Sequence, residues 1–254
     1  MTKTPLTFTN NKFDLKMLVC GNSGSGKTYF SATYNGPIHY YMLDKGGEKT
    51  LKRFLLSRDH PITIDDFSKE SDKFSAFWKQ LQKDEKDGFF NEMAEKEGLI
   101  VVDSLTSANM KAISEIAKLS SLPDQKIGRK YDPKAGLKMG HWGQLLNWNM
   151  TLISALQELP CAVLVTVHLH IVLGEENEVV ARYPSVNGQF RQLLGKDFDE
   201  VYLIESVGSS RILYMQEKNK FEAKTREFTA GRYKNISLNN IYEAYVNGEQ
   251  LIKG

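Results

Sequence analysis

The sequence predicts an α/β fold in which a mostly parallel sheet is flanked by helices. Short apolar runs of strand length alternate along the chain with longer segments that carry apolar residues at helical spacing. This alternation is typical of βαβ units, whose helices cover a parallel sheet. The chain has 254 residues, of which 41% are hydrophobic, and this is sufficient for a large buried core. Because no linker or internal repeat divides the sequence, we expect residues 1–254 to form a single domain with its core at about 15–230.

The strands are predicted where continuous apolar runs indicate burial on both faces of the sheet. The predicted strands comprise residues 16–20, 38–43, 99–102, 162–167, 201–205 and 211–216. The last of them is expected to turn back as the antiparallel hairpin partner of the strand before it. A C-terminal β-hairpin at about residues 236–254 is also predicted, because the dipeptide Asn247-Gly248 stands between alternating residues.

The helices are predicted between these strands, where apolar residues recur every three or four positions. The predicted helices comprise residues 27–34, 71–86, 104–119 and 141–159. In the second of them, the spacing of Phe74, Phe77 and Leu81 is that of one helix face. We interpret these side chains as core residues of a helix that lies on the surface of the sheet.

The most specific motif is the segment GNSGSGKT at residues 21–28, which matches the P-loop pattern GxxxxGK[ST]. It follows the first predicted strand and opens the first predicted helix. In that setting backbone N–H groups converge on a polyphosphate, Lys27 reaches the β- and γ-phosphates, and the Thr28 hydroxyl ligates Mg²⁺. The candidate nucleotide-binding residues are Gly21, Asn22, Ser23, Gly24, Ser25, Gly26, Lys27, Thr28 and Tyr29.

A second element is the apolar strand 99–102 that ends in Asp103, which is a Walker B pattern. We expect this strand to lie next to the P-loop strand, so that Asp103 comes close to Thr28 and holds Mg²⁺ through a water molecule. An aspartate that caps the following helix is the alternative interpretation. The two motifs together favour the metal-binding role for Thr28 and Asp103.

Candidates for activating the attacking water follow the predicted strand 38–43, where the chain carries Asp44 and Glu48. Ser104 rather than a glutamate follows Asp103, so the catalytic base is expected on another strand. Ligands of open α/β sheets bind at the carboxyl ends of the strands, and both carboxylates are expected at that edge. Their spacing does not rank them, and a solvated Gly-Gly turn is the alternative.

Together these motifs resemble those of RecA-like ATPases, and most closely those of phage-encoded ATP-binding proteins such as the Sak-type single-strand annealing ATPases. The resemblance covers about residues 15–230. Beyond the P-loop and the segment LIVVDSLT, it rests on three further segments: CAVLVTVH at 161–168, YPSVNGQFRQLLG at 183–195 and AKTR at 223–226. The implied fold is a RecA-like P-loop core.

This resemblance implies roles for three further residues. His168, at the end of the third core strand, would sense the γ-phosphate, whereas Lys224 and Arg226 would act in trans across a subunit interface. The family commonly has Asp-x-Glu where this chain has Asp44-Lys-Gly46, so the choice of base between Asp44 and the displaced Glu48 stays open. The catalytic candidates are therefore Lys27, Asp44, Glu48, His168, Lys224 and Arg226.

The same resemblance implies ATP and Mg²⁺ as cofactors, and an ATPase that works in phage DNA recombination or single-strand annealing. Its implied partners are single-stranded DNA, further copies of the chain in a head-to-tail oligomer, and a single-strand DNA-binding protein. No apolar run reaches the roughly 20 residues that span a bilayer, so no membrane partner is expected. The expected location is the cytoplasm, which for a phage protein is that of the host.

A basic loop at residues 125–138 is the candidate contact with single-stranded DNA, and it resembles in position the first DNA-contacting loop of RecA proteins. Its cations would bind backbone phosphates, and its tyrosine would stack on a base. A solvated loop is the alternative. The candidate DNA-binding residues are Lys126, Arg129, Lys130, Tyr131, Lys134 and Lys138.

The motifs also admit other classes of protein. A GTPase is disfavoured because the segment Asn219-Lys-Phe-Glu222 ends in glutamate, whereas guanine selection uses NKxD. A small-molecule phosphotransferase and a nucleotide-gated DNA-binding module without turnover both stay open. A zinc site at His168 and His170 would need further ligands, which the sequence does not place nearby.

Overall fold

The computed structural model describes residues 12–55, 58–69, 71, 73–120 and 139–252. Within these residues, nine strands form one sheet. They are β1 (Lys16–Gly21), β2 (Ile38–Met42), β3 (Ile62–Asp66), β4 (Leu99–Asp103), β5 (Ala162–Leu173), β6 (Val179–Pro184), β7 (Glu200–Val207), β8 (Ser210–Tyr214) and β9 (Arg232–Lys234).

The helices of the described residues lie between these strands and after the last one. They are α1 (Lys27–Ala32), α2 (Gly47–Leu51), α3 (Phe74–Lys86), α4 (Phe89–Glu95), α5 (Leu105–Ser120), α6 (Met139–Glu158), α7 (Phe190–Leu193) and α8 (Leu238–Asn247). A short 3₁₀ turn, Leu194–Lys196, follows α7.

The strand order is β3-β2-β4-β5-β1-β7-β8-β9, and β6 pairs with the outer part of β5. The six strands from β3 to β7 in this order pair in parallel, whereas β8 and β9 continue the sheet antiparallel. The predicted mostly parallel sheet with flanking helices is therefore confirmed, and so is the predicted pairing of β8 with the strand before it.

The sheet is buried on both faces, because successive side chains of each strand point to opposite layers of helices. On β2, Tyr41 packs against Phe77 of α3, whereas Tyr40 points to the other layer and hydrogen-bonds to Ser31 of α1. Burial of both faces explains why these strands are recognisable as continuous apolar runs.

The position of the Walker B strand differs from the prediction. Strand β4 does not pair with β1, because β5 lies between them and pairs with both. The expectation that the Walker B strand lies next to the P-loop strand is therefore wrong. Pairing order in a parallel sheet depends on how the helical crossovers pack, and a local motif does not specify it.

The C-terminal segment also differs from the prediction, since residues 238–247 form helix α8 instead of a hairpin. Ser237 caps the helix in a capping box with Asn240, and Gly248 ends it with φ 66°. The Asn-Gly dipeptide is therefore a helix end, where glycine adopts the left-handed conformation, and not a hairpin turn. The buried residues of α8 have helical spacing: Leu238, Ile241, Ala244 and Tyr245.

Both Cys20 and Cys161 are buried free thiols, and burial raises the pKa of Cys161 to about 11. Among the described helices, none combines the length and the apolar character that crossing a membrane requires.

Candidate nucleotide-binding site

The P-loop connects the carboxyl end of β1 to the start of α1. Its geometry depends on glycine, because Gly24 and Gly26 have φ of 76° and 99°, a region that other residues rarely adopt. A side chain at Gly21 would also collide, since a Cβ atom there would lie 2.4 Å from Ser25 Oγ and 2.7 Å from the Ile204 carbonyl oxygen. The motif therefore has the tight turn that a phosphate-binding loop requires.

The ammonium group of Lys27 is held inside this loop. Its Nζ donates hydrogen bonds to the carbonyl oxygens of Gly21 (2.9 Å) and Asn22 (3.0 Å), and it lies 3.3 Å from His168 Nδ1. Burial lowers the pKa of Lys27, and the nearby Asp103 and Asp44 counteract this effect. The lysine is thus the cation at the centre of the site.

The two predicted metal-binding residues are in direct contact. Thr28 Oγ1 donates a hydrogen bond of 2.6 Å to Asp103 Oδ2, and Thr166 Oγ1 of the intervening strand β5 donates to the other carboxylate oxygen. Asp103 is only 2% exposed. Burial raises its pKa, and the hydrogen bonds from Thr166 and Thr28 partly oppose this. One hydroxyl and one carboxylate side by side form a hard oxygen donor set, which suits Mg²⁺.

The two candidate bases occupy different environments. Asp44 accepts hydrogen bonds from Ser104 Oγ (3.0 Å) and from Ser107 Oγ, and its Oδ2 lies 2.9 Å from His168 Nε2. Burial alone would raise the pKa of Asp44, but the hydrogen bonds from His168, Ser107 and Ser104 outweigh it and lower the pKa. Glu48 instead lies exposed in the first turn of α2.

The contacts of His168 define its protonation pattern. Because the Lys27 ammonium can only donate, the Nδ1 atom that faces it is an acceptor, and Nε2 carries the proton that is donated to Asp44. The backbone N–H of His168 also donates to Thr106 Oγ1 (3.0 Å), which fixes the end of the buried part of β5. Lys27, His168 and Asp44 therefore form a hydrogen-bonded row.

These side chains line one cleft of about 340 Å³ at the carboxyl edge of the sheet. The cleft is also lined by cations that no sequence motif marks: Lys45, Lys49, Arg53 and Arg211. The guanidinium carbon of Arg211 on β8 lies 3.7 Å from the centre of the Tyr29 ring, and the side chain covers Gly26. A smaller pocket of about 280 Å³ adjoins the cleft beside Tyr29, Arg211 and Ile204.

Lys224 and Arg226 lie elsewhere. Lys224 exchanges two backbone hydrogen bonds of 2.9 Å with Val201 near the start of β7, and Arg226 pairs with Asp199 (3.1 Å). This is the amino end of the parallel strands, whereas the P-loop follows their carboxyl ends. The structure therefore does not bring these two cations to the P-loop of the same chain.

The predicted DNA-binding residues lie outside the described residues. They are Lys126, Arg129, Lys130, Tyr131, Lys134 and Lys138. In the described hairpin of β5 and β6, Arg182 forms an ion pair with Glu205 (2.8 Å).

A family model described as an AAA domain matches residues 14–227 of this sequence. The search of curated proteins returns no match. Among solved structures, the chain is similar to the RadB recombinase, with 14% identity, a TM-score of 0.45, and coverage of 89% of this chain and 88% of that chain.

A prototypical ATPase from the type III secretion system of pathogenic bacteria is similar at 15% identity and a TM-score of 0.44, with 76% of this chain covered. The match spans about half of that ATPase, 52% of its chain.

Proposed function

The chain belongs to the AAA domain family of P-loop proteins, and we propose that it binds and hydrolyses ATP with Mg²⁺ as a head-to-tail oligomer on single-stranded DNA. The proposed process is phage DNA recombination or single-strand annealing. One observation carries the nucleotide-binding and hydrolysis part of the proposal: the P-loop lysine, the Thr28–Asp103 pair and the Asp44–His168 pair converge on one cleft.

Binding of the nucleotide follows from the loop. Backbone N–H groups of the P-loop would hold the phosphates, and Lys27 would move from the carbonyl oxygens of Gly21 and Asn22 to the β- and γ-phosphates. Thr28 and Asp103 would hold Mg²⁺, which supplies charge neutralisation at the phosphates when it is bound. The adjoining pocket beside Tyr29 and Arg211 has room for the nucleoside.

Proton handling is assigned to the Asp44–His168 pair. His168 has its Nδ1 lone pair directed toward Lys27 and the phosphate end of the cleft, and Nε2–H is held by Asp44. In this arrangement His168 can orient the attacking water at the γ-phosphate and accept its proton, while Asp44 stabilises the imidazolium that results. Asp44 is preferred over Glu48 because, of these two carboxylates, Asp44 lines the cleft and Glu48 does not.

Assembly and DNA binding complete the proposal. Lys224 and Arg226, which lie at the other end of the strands, would be supplied to the P-loop of a neighbouring copy, where they neutralise charge on the γ-phosphoryl group. The basic loop at 125–138 would contact single-stranded DNA, and a single-strand DNA-binding protein is the further expected partner.

The test is phosphate release from ATP by the full chain, measured with and without single-stranded DNA and with small-molecule phosphate acceptors. We expect turnover that DNA stimulates. Phosphorylation of an acceptor would identify a phosphotransferase instead, and binding of ATP and DNA with no turnover would identify a nucleotide-gated binding module. Lys27→Ala distinguishes activity of this site from a contaminating phosphatase.

A further inference from the structure

A second polar cluster lies at the outer edge of the sheet, between β2, β3 and α3. It consists of His39 on β2, Asp65 on β3 and Asp84 on α3, and one ligand atom from each lies within 4.8 Å of the other two. His39 is only 6% exposed, whereas the two aspartates are half-buried. The nucleotide cleft is lined by other residues, so this cluster is a separate feature.

One nitrogen of the His39 ring has a partner within the protein. His39 Nδ1 lies 2.8 Å from Thr63 Oγ1, and which of the two atoms donates depends on the tautomer of the ring. With the proton on Nδ1, the lone pair of the neutral ring is on Nε2, where it can bind a metal ion. Burial also lowers the pKa of His39, and the nearby Asp65 and Asp84 only partly oppose this.

His39 Nε2 faces a negative group. Among the residues that the structure describes, none hydrogen-bonds to His39 Nε2, although the atom is buried. The carboxylate oxygen Oδ2 of Asp65 lies 3.7 Å from it, beyond hydrogen-bonding distance. A buried ring nitrogen without a partner is unfavourable. A metal ion bound by the Nε2 lone pair and by the carboxylate would satisfy both groups.

We propose that His39, Asp65 and Asp84 bind a divalent transition-metal ion. One imidazole nitrogen with two carboxylates suits Zn²⁺, Co²⁺ or Mn²⁺, whereas Mg²⁺ and Ca²⁺ prefer sites made of oxygen alone. Metal bonds of about 2.0–2.2 Å would draw the three side chains closer together. The ion would fasten the edge strand β3 to α3, because the ligands come from both elements.

The neighbouring residues hold the side chains of the cluster in place. Asp84 accepts hydrogen bonds from Tyr41 Oη (2.6 Å) at Oδ2 and from Gln80 Nε2 (2.9 Å) at Oδ1. The His39 ring lies edge-on to the rings of Tyr41 and Phe89, with centroids 4.7 Å and 4.9 Å away. Metal sites commonly have such outer hydrogen bonds and an apolar wall, which hold the ligands in place and limit access of water.

The test is metal binding by the chelator-treated full chain, with Zn²⁺ measured by calorimetry and Co²⁺ by its visible absorption. We expect one ion per chain at this cluster and a rise in melting temperature on loading. Asp103→Asn is used as the parent protein, so that binding at the nucleotide site does not contribute. Asp65→Asn and Asp84→Asn should each weaken binding at least tenfold.

The matched control is Asp66→Asn, which changes the adjacent, exposed residue of β3, on the opposite face of the strand. It should bind the ion as the parent does. Circular dichroism with chelator present checks that the Asp65→Asn protein is folded. If it is unfolded, the comparison of metal binding by Asp84→Asn with that by Asp66→Asn decides. The proposal is overturned if the parent binds no ion, or if Asp65→Asn and Asp84→Asn bind it as tightly as Asp66→Asn.

Discussion

The imidazole of His168 and the carboxylate of Asp44 lie 2.9 Å apart, although they come from the ends of two strands that do not pair. His168 is on β5 and Asp44 follows β2, and β4 lies between these strands. The contact exists because parallel strands end at the same edge of the sheet, where the following loops meet. It links the P-loop, through Lys27, to a carboxylate more than one strand away.

We predict that Lys27→Ala reduces ATP turnover by about 10² or more, because its ammonium is the cation that the P-loop directs at the β- and γ-phosphates. Phosphate release is the measurement. The control is Lys49→Ala, which removes an exposed cation of the same cleft and should retain most of the activity. Wild-type turnover by Lys27→Ala would show that the P-loop is not the site of hydrolysis.

We predict that Asp44→Asn hydrolyses ATP about 10²- to 10⁴-fold more slowly while it still binds ATP. The amide can accept the His168 Nε2–H but cannot stabilise an imidazolium. Glu48→Gln is the matched variant and should have nearly normal turnover, because Glu48 is exposed on α2. Binding of a fluorescent ATP analogue and single-turnover hydrolysis separate the two effects. Normal hydrolysis by both variants would exclude both carboxylates from the activation of the attacking water.

We predict that Lys27→Ala and Arg226→Ala proteins, each inactive alone, recover activity when they are mixed. An interfacial site in the mixture combines an intact P-loop from one copy with an intact Arg226 from the other. A transition-state cation of this kind contributes about 10³- to 10⁵-fold in rate in other phosphoryl-transfer systems. Phosphate release from the mixture is the measurement. If the mixture stays inactive although the subunits assemble and exchange, the trans role of Arg226 is ruled out.

We predict that Arg211→Ala raises the KM for ATP about 2- to 30-fold with a smaller effect on kcat, because Arg211 is a cation that lines the cleft and covers Gly26 of the P-loop. A change of this size corresponds to roughly 0.5–2 kcal/mol of binding free energy. The guanidinium lies over the Tyr29 ring beside the cleft. Arg232→Ala, an exposed arginine on the neighbouring strand β9, is the control. An unchanged KM in steady-state kinetics would exclude Arg211 from the binding of the nucleotide.

We predict that the free energy of unfolding of the Glu200→Gln protein increases relative to that of the wild-type protein as the pH rises. Burial raises the pKa of Glu200 above its usual value of 4.5, and the hydrogen bonds from its neighbours only partly oppose this. A raised carboxyl pKa makes the folded state lose stability as the pH rises from about 4.5 through the folded pKa. Urea unfolding at pH 5 and pH 8 measures the difference in the free energy of unfolding between the variant and the wild-type protein. A difference that does not change with pH would contradict the prediction.

The P-loop and Walker B patterns could be recognised in the sequence because each is a local segment. A short segment such as 21–28 contains its own glycines, lysine and threonine, and a strand that ends in Asp103 marks a sheet edge. The contacts of Arg211 could not be predicted, since they depend on β8 lying beside the loop. The pairing of His168 with Asp44 depends on the strand order in the same way.

For a related reason, the sequence does not predict the strand β3 or the cluster of His39, Asp65 and Asp84. The segment ITIDD has no continuous apolar run, because it is an edge strand with half-exposed residues. Without β3 in place, Asp65 cannot be assigned to the neighbourhood of His39. The apolar residues of helix α8 have helical spacing, which predicts a helix, whereas the Asn-Gly dipeptide predicts a hairpin turn.

Helix α8 has a consequence for any attempt to shorten the protein. The family match ends at residue 227, yet the backbone N–H of Leu238 donates to Thr33 Oγ1 (2.8 Å) at the end of the P-loop helix. The ring of Tyr242 also packs on Phe13 and Tyr34, with centroids 5.1 Å and 5.3 Å away. A version trimmed at the family boundary would expose this aromatic layer and leave the six-residue α1 without its support. A shortened protein that keeps this packing therefore has to include the last helix.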